Sequence, residues 1–405
     1  MRSAWTILIA LTLARLVMAF QFQSVAALAP QIVERTGLGF VAVGTLSGAY
    51  LLPGVVAALL GGWAGQRYGD ISIARWGLIL MAAGGFAGAF FVGFELQVCA
   101  RLLAGVGAVA LNVMLNKMAG DWFQGRDDLA IAMSVLVSSW PAGLALAGFA
   151  MPSLSGMVTL SVLFILPAFF CVVALGLLTL AWKSPPGMPT ASRSDLKLTP
   201  REMLFIFLSG TIWAIYNLAF ITTISWLPLF FIEKGIEPDE AVWLGTLLSG
   251  LAIFSVAAGG WAVSPKGGLA YLVMRPDTLA LGSVFCSAVL VALIALGTTE
   301  EVGSRLAPVI VALGAVIGFV AGVIMTLPIE TTRPAVRAIA LGIYWAIYYA
   351  VMGIGPSILG YVRDEIGSAI APLLVASCLL LACIPLWVLF RFLQKMLARG
   401  ASLSG

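Results

Sequence analysis

Long apolar stretches alternate with short breaks that carry charged residues, glycine or proline along the whole 405-residue chain. Most stretches reach the roughly 20 residues that an α-helix needs to cross a bilayer. Backbone amides in lipid must be hydrogen-bonded within the chain, which favours helices over strands for runs of this length. The pattern predicts twelve spans, at residues 5–29, 41–63, 76–95, 98–120, 129–150, 158–182, 202–230, 241–263, 276–297, 305–329, 338–361 and 369–393.

One long polar segment, residues 183–200, separates the sixth predicted span from the seventh and holds four prolines and three serines. It predicts an N-terminal six-helix bundle at 1–182, a cytoplasmic linker at 183–200, and a C-terminal six-helix bundle with a short tail at 201–405. The second and eighth spans also share a Gly-Gly-Trp-Ala motif, at 61–64 and 259–262. We therefore expect an all-α membrane protein whose twelve transmembrane helices form two pseudo-symmetric bundles.

The distribution of lysine and arginine predicts the orientation of these spans. With the N-terminus inside, the inner loops and tails hold 15 basic residues and the outer loops hold 4. Short loops rich in basic residues stay in the cytoplasm. We therefore expect both termini and the linker to be cytoplasmic, and an integral protein of a bacterial plasma (inner) membrane. Each chain has a complete set of twelve spans, which favours a monomer.

The composition limits the chemistry that the chain can perform. Apolar residues make up 61% of the sequence and charged residues only 10%, which excludes a water-soluble domain. The chain has no histidine, so it lacks the commonest general base and zinc ligand. Its five cysteines show no metal-binding spacing. We expect no metal, no cofactor and no enzymatic activity, and the modest net charge of +4 requires no nucleic acid partner.

The loop after the second span and the start of the fourth span carry recognisable motifs. Gly62, Arg67 and Gly69 match the loop pattern of the major facilitator superfamily, whereas Gln66 and Asp70 depart from it. The chain resembles that superfamily over its whole length. The resemblance implies the six-plus-six helical fold and secondary transport by alternating access.

Arg101, Gly105 and Gly107 match the superfamily pattern at the start of the fourth span, which implies a role in conformational exchange for Arg101.

A second resemblance covers a shorter part of the chain. Residues 121–126 and 139–143 are similar to members described as cyanate- or nitrate-type anion permeases. The paired arginines of nitrate carriers have no clear counterpart, since the seventh span is uncharged between residues 212 and 224.

Arg15 lies near the middle of the first predicted span, where a charge is costly by about 2.5–3.5 kcal/mol even on insertion scales. No aspartate or glutamate of the sequence lies at a comparable depth within a predicted span. A guanidinium in a polar cavity binds a carboxylate or oxyanion through parallel hydrogen bonds. The alternative is that backbone carbonyls cap Arg15 in a purely structural role.

Polar and aromatic residues on four spans are candidates to complete a site around Arg15. Gln23 shares a helix face with it, Asn112 lies mid-span, and tyrosine hydroxyls can donate hydrogen bonds to an anion. Interhelical hydrogen bonding and core packing are the competing interpretations. The predicted substrate-binding residues are Arg15, Gln23, Asn112, Tyr216, Asn217, Tyr344 and Tyr348.

A second set consists of residues that the motifs or the bend signals associate with helix movement. Proline and paired glycines mark helices that bend. The candidate gating or conformational residues are Gly62, Arg67, Arg101, Trp140, Pro141, Gly355 and Pro356.

We therefore predict a secondary active or facilitative transporter of a small anion, an organic carboxylate or similar oxyanion. Its partners would be that solute, the lipid bilayer and, for coupling by symport or antiport, a proton or counter-anion. One alternative is an exporter of a neutral or lipophilic compound. An alternative from another class is a membrane sensor that uses the transporter fold.

Overall fold

The structure, a computed structural model, describes residues 4–90, 93–123, 126, 129–183, 197–262, 276–297, 306–333 and 336–403. Within these ranges the regular elements are helices, and twelve helices are long and apolar enough to cross a membrane. The predicted all-α fold is confirmed. Spans 1 to 12 run at Ala4–Ala27, Phe40–Leu51 with Gly54–Tyr68, Asp70–Phe90, Phe94–Phe123, Leu129–Ser155, Leu160–Ala181, Pro200–Glu233, Pro238–Ala262, Pro276–Leu296, Leu306–Ile317 with Phe319–Thr331, Arg337–Ile366 and Ile370–Leu403.

Several helices extend beyond the predicted apolar stretches. Span 3 begins at Asp70 rather than at residue 76, because a carboxylate in the first turn stabilises the positive end of the helix dipole. Span 11 continues past residue 361 to Ile366, where Gly367 ends it with a left-handed φ of 74°. Charged residues therefore belong to the helix ends here and not to the loops. Residues 184–196 of the predicted linker lie outside the described residues.

Two spans are interrupted and one short helix was not predicted. Span 2 breaks between its two segments at Pro53, and span 10 breaks at Gly318, whose amide donates to Ser255 Oγ at 3.1 Å. The short helix Ala29–Thr36 connects spans 1 and 2, with proline in its first turn. Proline at that position loses no helical hydrogen bond, so the run after span 1 forms a separate helix.

The first six spans meet the last six where span 2 packs against span 11 and span 5 packs against span 8. Gly44 and Gly48 of span 2 lie against the backbone carbonyls of Pro356 and Gly353 in span 11. A methyl group at either glycine would overlap these carbonyls, so the two backbones approach closely only because glycine is present.

The two ends of the bundle differ in their polar contacts. At the end where span 1 begins and span 12 ends, called the termini end below, Asp70 pairs with Lys117, and Asp277 pairs with Arg391 at 2.8 Å. Both aspartates lie in the first turn of the third helix of their half. At the opposite end, the Asp364 carboxylate accepts hydrogen bonds from the first amides of span 2, at 2.8 and 2.9 Å. That carboxylate links the two sets of six spans.

Candidate solute-binding site

Arg15 is buried in the middle of span 1 and is 7% exposed. Its Nε donates to Asn112 Oδ1 at 3.1 Å, and its Nη1 donates to the carbonyls of Leu136 and Val137 at 2.9 and 3.0 Å. These bonds use three of the five guanidinium N–H groups. The remaining nitrogen, Nη2, has no hydrogen-bond acceptor among the described residues.

The carbonyl of Val137 is available to Arg15 because Pro141 lies four residues further along span 5. Proline has no N–H, so the helical hydrogen bond from residue 141 to the Val137 carbonyl cannot form. Arg15 Nη1 takes its place at 3.0 Å. Pro141, predicted as a conformational residue, thus also fixes the orientation of the guanidinium.

Asn112 connects Arg15 to the other set of six spans. Its Oδ1 accepts from Arg15, and its Nδ2 donates to the Tyr349 hydroxyl at 3.0 Å. Asn116, one turn away, donates to Asn112 Oδ1 at 3.2 Å and so supports the amide orientation. A hydrogen-bond chain therefore runs from span 1 through span 4 to span 11.

A central cavity of about 50 Å³ lies beside this chain of hydrogen bonds, between the two sets of six spans. Five of the seven predicted binding residues line it: Arg15, Asn112, Tyr216, Asn217 and Tyr348. Trp140 and Pro141, predicted as conformational residues, line it as well. The structure thus brings together residues that lie more than 330 positions apart in the sequence.

The other two predicted binding residues lie elsewhere. Tyr344 is fully buried, and its hydroxyl lies 3.6 Å from Met325 Sδ, away from the central cavity. Gln23 lines a second cavity and accepts from Ser225 Oγ at 3.4 Å. Helical spacing predicts that Gln23 shares a face with Arg15. The two residues are two helical turns apart along the axis, however, so the Gln23 side chain lies beyond the central cavity.

Sequence reasoning missed several aromatic residues that line the central cavity, among them Trp213, Phe220 and Trp345. Trp345, Tyr348 and Tyr349 follow the i, i+3, i+4 spacing of one helix face, and this face meets the cavity instead of the face of Tyr344. Trp213 lies one turn before Asn217, and its backbone carbonyl accepts a hydrogen bond from Asn217 Nδ2 at 2.7 Å. The i+4 spacing to Asn217 is the signal that could have found it.

The second cavity is larger, about 430 Å³, and lies one to two turns nearer the end opposite the termini. Its wall is largely apolar, and among the described residues that line it no lysine or arginine occurs. Asp239, at the start of span 8, is the acidic residue on that wall. The polar groups of its wall are mostly hydroxyls and amides, such as those of Ser47, Thr222 and Ser249.

Arg101 is equally buried but makes different contacts. Its Nε, Nη1 and Nη2 donate to the carbonyls of Leu46, Gln21 and Phe22 at 3.1, 2.9 and 3.2 Å. The guanidinium also lies over the Tyr50 ring, 4.5 Å from its centroid. These contacts bind span 4 to spans 1 and 2.

The remaining conformational candidates lie apart from the central cavity. Gly62 and Arg67 lie in the second segment of span 2, and Arg67 is exposed there beside the Tyr68 ring. Gly355 packs against Leu218 of span 7, and the Pro356 carbonyl lies against Gly44 of span 2. The last two residues thus lie where spans 2, 7 and 11 meet.

These features define a class of protein: an integral membrane protein with twelve candidate spans among the described residues and a cavity between two sets of six. The chain belongs to the Major Facilitator Superfamily, whose family model matches residues 11–356. It is a transporter and not an enzyme, as the sequence predicted.

Curated relatives carry solutes that differ widely in size. The chain is 29% identical to the 3-(3-hydroxy-phenyl)propionate transporter of Escherichia coli (strain K12), over 68% of this chain and 64% of that protein. It is 26% identical to the cyanate transport protein CynX of the same organism, over 58% and 60%. It is 23% identical to the hexuronate transporter of Bacillus subtilis (strain 168), over 92% and 90%. The chain thus spans less than two thirds of the length of the first two relatives.

Proposed function

We propose that this transporter carries a small organic anion, a monocarboxylate or similar oxyanion, and that Arg15 binds the negative charge. The observation that carries the proposal is the unused Nη2 of Arg15 beside a cavity between the two sets of six spans. The other guanidinium donors are held by Asn112 and two carbonyls, which fixes the group in place before the solute arrives. A cation in a low-dielectric cavity gains most from an anionic partner.

The relatives support an anionic solute, because all three carry the name of an anion. In our proposal the two bundles, 1–182 and 201–405, move against each other around the central cavity. The larger cavity provides access from the end opposite the termini, and the termini end faces the cytoplasm of a bacterial inner membrane, in line with the excess of basic residues there.

The coupling proposal follows from the same cavities. Among the described residues that line the central cavity there is no carboxylate that could carry a proton. Uniport, anion exchange, or symport with the proton carried on the solute itself are therefore favoured over antiport through a buried acid. The chain acts as a monomer in this proposal.

A second candidate function is export of a neutral or lipophilic compound. The larger cavity favours it, since that cavity has an apolar wall without lysine or arginine among the described residues. In this case Arg15 would serve only to hold spans 1, 4 and 5 together.

A thermal-shift screen of the purified protein distinguishes the two candidates. A ligand that binds the folded state stabilises it by RT ln(1 + [L]/Kd), so even weak ligands register at high concentration. We expect stabilisation by one or more carboxylates in the wild type and its loss in Arg15→Ala, with Trp76→Phe as a lipid-exposed control. Counterflow of each stabilising compound in liposomes then tests transport. Stabilisation by neutral lipophiles alone, unchanged in Arg15→Ala, would contradict the anion proposal.

A further inference from the structure

Among the described residues, several polar groups of the residues that line the central cavity have no hydrogen-bond partner. Besides Arg15 Nη2, the indole Nε1 of Trp213 is buried with no acceptor among the described residues, and Trp213 itself is 7% exposed. Tyr348 lines the same cavity, and its hydroxyl makes no hydrogen bond among the described residues. Buried donors without partners are costly, so such groups in a cavity wall indicate a ligand that accepts hydrogen bonds.

The same wall is built from aromatic rings of spans 7 and 11. The Trp345 ring lies perpendicular to Trp213, with centroids 6.2 Å apart, and to Tyr348, with centroids 5.3 Å apart. The Trp213 and Tyr348 rings are inclined at only 36° to each other. Ring faces and ring edges thus both occur in this wall, and a further aromatic ring packs favourably against either.

Several other polar groups near this wall already make one hydrogen bond within the protein. The Tyr216 hydroxyl donates to the Ile317 carbonyl at 2.8 Å, the Tyr349 hydroxyl accepts from Asn112, and the Asn217 amide donates to the Trp213 carbonyl. A polyhydroxylated acid would bring several hydroxyls, each of which needs a partner among the few groups left, and burying a hydroxyl without a partner is costly. A flat hydrocarbon ring needs no hydrogen bonds.

We propose that Trp213 donates its indole N–H to the solute opposite Arg15, and that the solute is a flat aromatic monocarboxylate. This inference rests on the proposed function, in which Arg15 binds the anion. The carboxylate lies between Arg15 Nη2 of span 1 and Trp213 Nε1 of span 7, while the ring lies against Trp345 and Tyr348. One ligand thereby connects the two sets of six spans.

The size of the cavity defines the conformational change that this binding needs. A volume of about 50 Å³ holds little more than the carboxylate itself, whereas the neighbouring cavity of about 430 Å³ has room for a ring. Both cavities are lined by spans 1, 2, 5, 7, 8 and 11. In our proposal the solute passes from the larger cavity to the central one, and spans 7 and 11 move away from Arg15 to admit the ring.

Binding of three matched carboxylates to the purified full-length protein tests the proposal. The probes are 3-phenylpropionate, 3-cyclohexylpropionate, which has the same chain but a puckered ring, and glucuronate. The proteins are the wild type, Trp213→Phe, Trp213→Leu, Arg15→Ala and the control Trp76→Phe. We expect 3-phenylpropionate to bind at least tenfold more tightly than either other probe. Trp213→Phe, which keeps a ring but loses the N–H, should weaken its binding about tenfold, Trp213→Leu further, and Trp76→Phe not at all.

The outcomes separate this inference from the proposed function. If Arg15→Ala abolishes binding but Trp213→Phe binds 3-phenylpropionate like the wild type, Trp213 is not a ligand and the inference fails alone. Equal or tighter binding of 3-cyclohexylpropionate or glucuronate by the wild type also overturns it, and this readout needs no variant to fold. If Arg15→Ala binds all probes like the wild type, the proposed function itself fails.

Discussion

Two arginines of the first set of six spans, Arg15 and Arg101, are equally buried, at 7% exposure each, yet differ in what they leave unused. Arg101 directs all three of its nitrogens at backbone carbonyls and covers its face with the Tyr50 ring. Arg15 directs two nitrogens at protein acceptors and leaves the third beside a cavity. Burial alone therefore does not distinguish the two arginines. The unused donor does, and the proposal that Arg15 binds the solute rests on it.

The difference arises from the neighbours of each residue. Arg101 lies among the carbonyls of spans 1 and 2, which accept hydrogen bonds from all three of its nitrogens, and it belongs to neither cavity wall. Arg15 faces aromatic rings of spans 7 and 11, which offer few acceptors for its last donors. We infer that Arg101 stabilises the fold and Arg15 serves the solute.

Substitution of Arg15 should have the largest effect on binding. Arg15→Ala removes the charge that pairs with the carboxylate, and we expect a loss of at least 100-fold in affinity, or about 3 kcal/mol. Arg15→Lys should also weaken binding. An ammonium lacks the planar fork of a guanidinium, so it cannot donate to the Val137 carbonyl and to the solute in the same arrangement. Equilibrium dialysis with a labelled carboxylate measures the loss. Wild-type affinity in Arg15→Ala would remove the distinction between the two arginines.

Arg101→Ala should give the reverse pattern, with a large loss of stability and little change in binding. Three carbonyls would lose charge-assisted donors within the membrane, and we expect about 2–4 kcal/mol of destabilisation. The melting temperature of the purified protein and the Kd of its folded fraction are the two readouts. A normal melting temperature together with lost binding would show that Arg101 acts on the solute instead.

Pro141→Ala sharpens the comparison by disturbing Arg15 without touching its charge. The new N–H would take the Val137 carbonyl from Arg15 Nη1, and we expect the Kd to rise about fivefold while stability holds or increases. Pro385→Ala, a helix-interior proline on the exposed side of span 12, is the matched control and should leave the Kd unchanged. Equal effects of the two substitutions would argue against the positioning role of Pro141.

Tyr349→Phe should have the smallest effect on affinity, because it removes only the hydrogen bond between Asn112 and Tyr349. That bond is worth about 1 kcal/mol and joins the two sets of six spans. We expect the Kd to change less than threefold and the rate of counterflow in liposomes to change more than the Kd does. A change in affinity as large as that of Pro141→Ala would instead make Tyr349 part of the anion site.

The sequence predicted the twelve spans well because hydropathy alone determines which segments enter lipid. It placed the start of span 3 six residues late, since Asp70 and Arg75 resemble loop residues although they form the polar first turns of a helix. The gathering of Arg15, Asn112 and Tyr348 at one cavity agrees with the sequence-based set. Their roles there remain predictions.

Other parts of the site depend on tertiary packing that no single helix reveals. In span 11, the faces through Tyr344 and through Trp345 are both aromatic, and only the packing of span 10 against Tyr344 decides which one meets the cavity. Trp213 was missed because tryptophan in a span usually marks the lipid interface or the core. The link from Pro141 through the Val137 carbonyl to Arg15 requires the register between spans 1 and 5.

The central claim, that the unused Nη2 of Arg15 binds the carboxylate of the solute, is tested most directly by changing the charge on both partners. The Kd of 3-phenylpropionate and of its neutral amide, 3-phenylpropanamide, would be measured for the wild type and for Arg15→Ala. We predict that the wild type prefers the carboxylate by at least 100-fold and that Arg15→Ala shows no preference between the two. An equal preference for the carboxylate in both proteins would contradict the account.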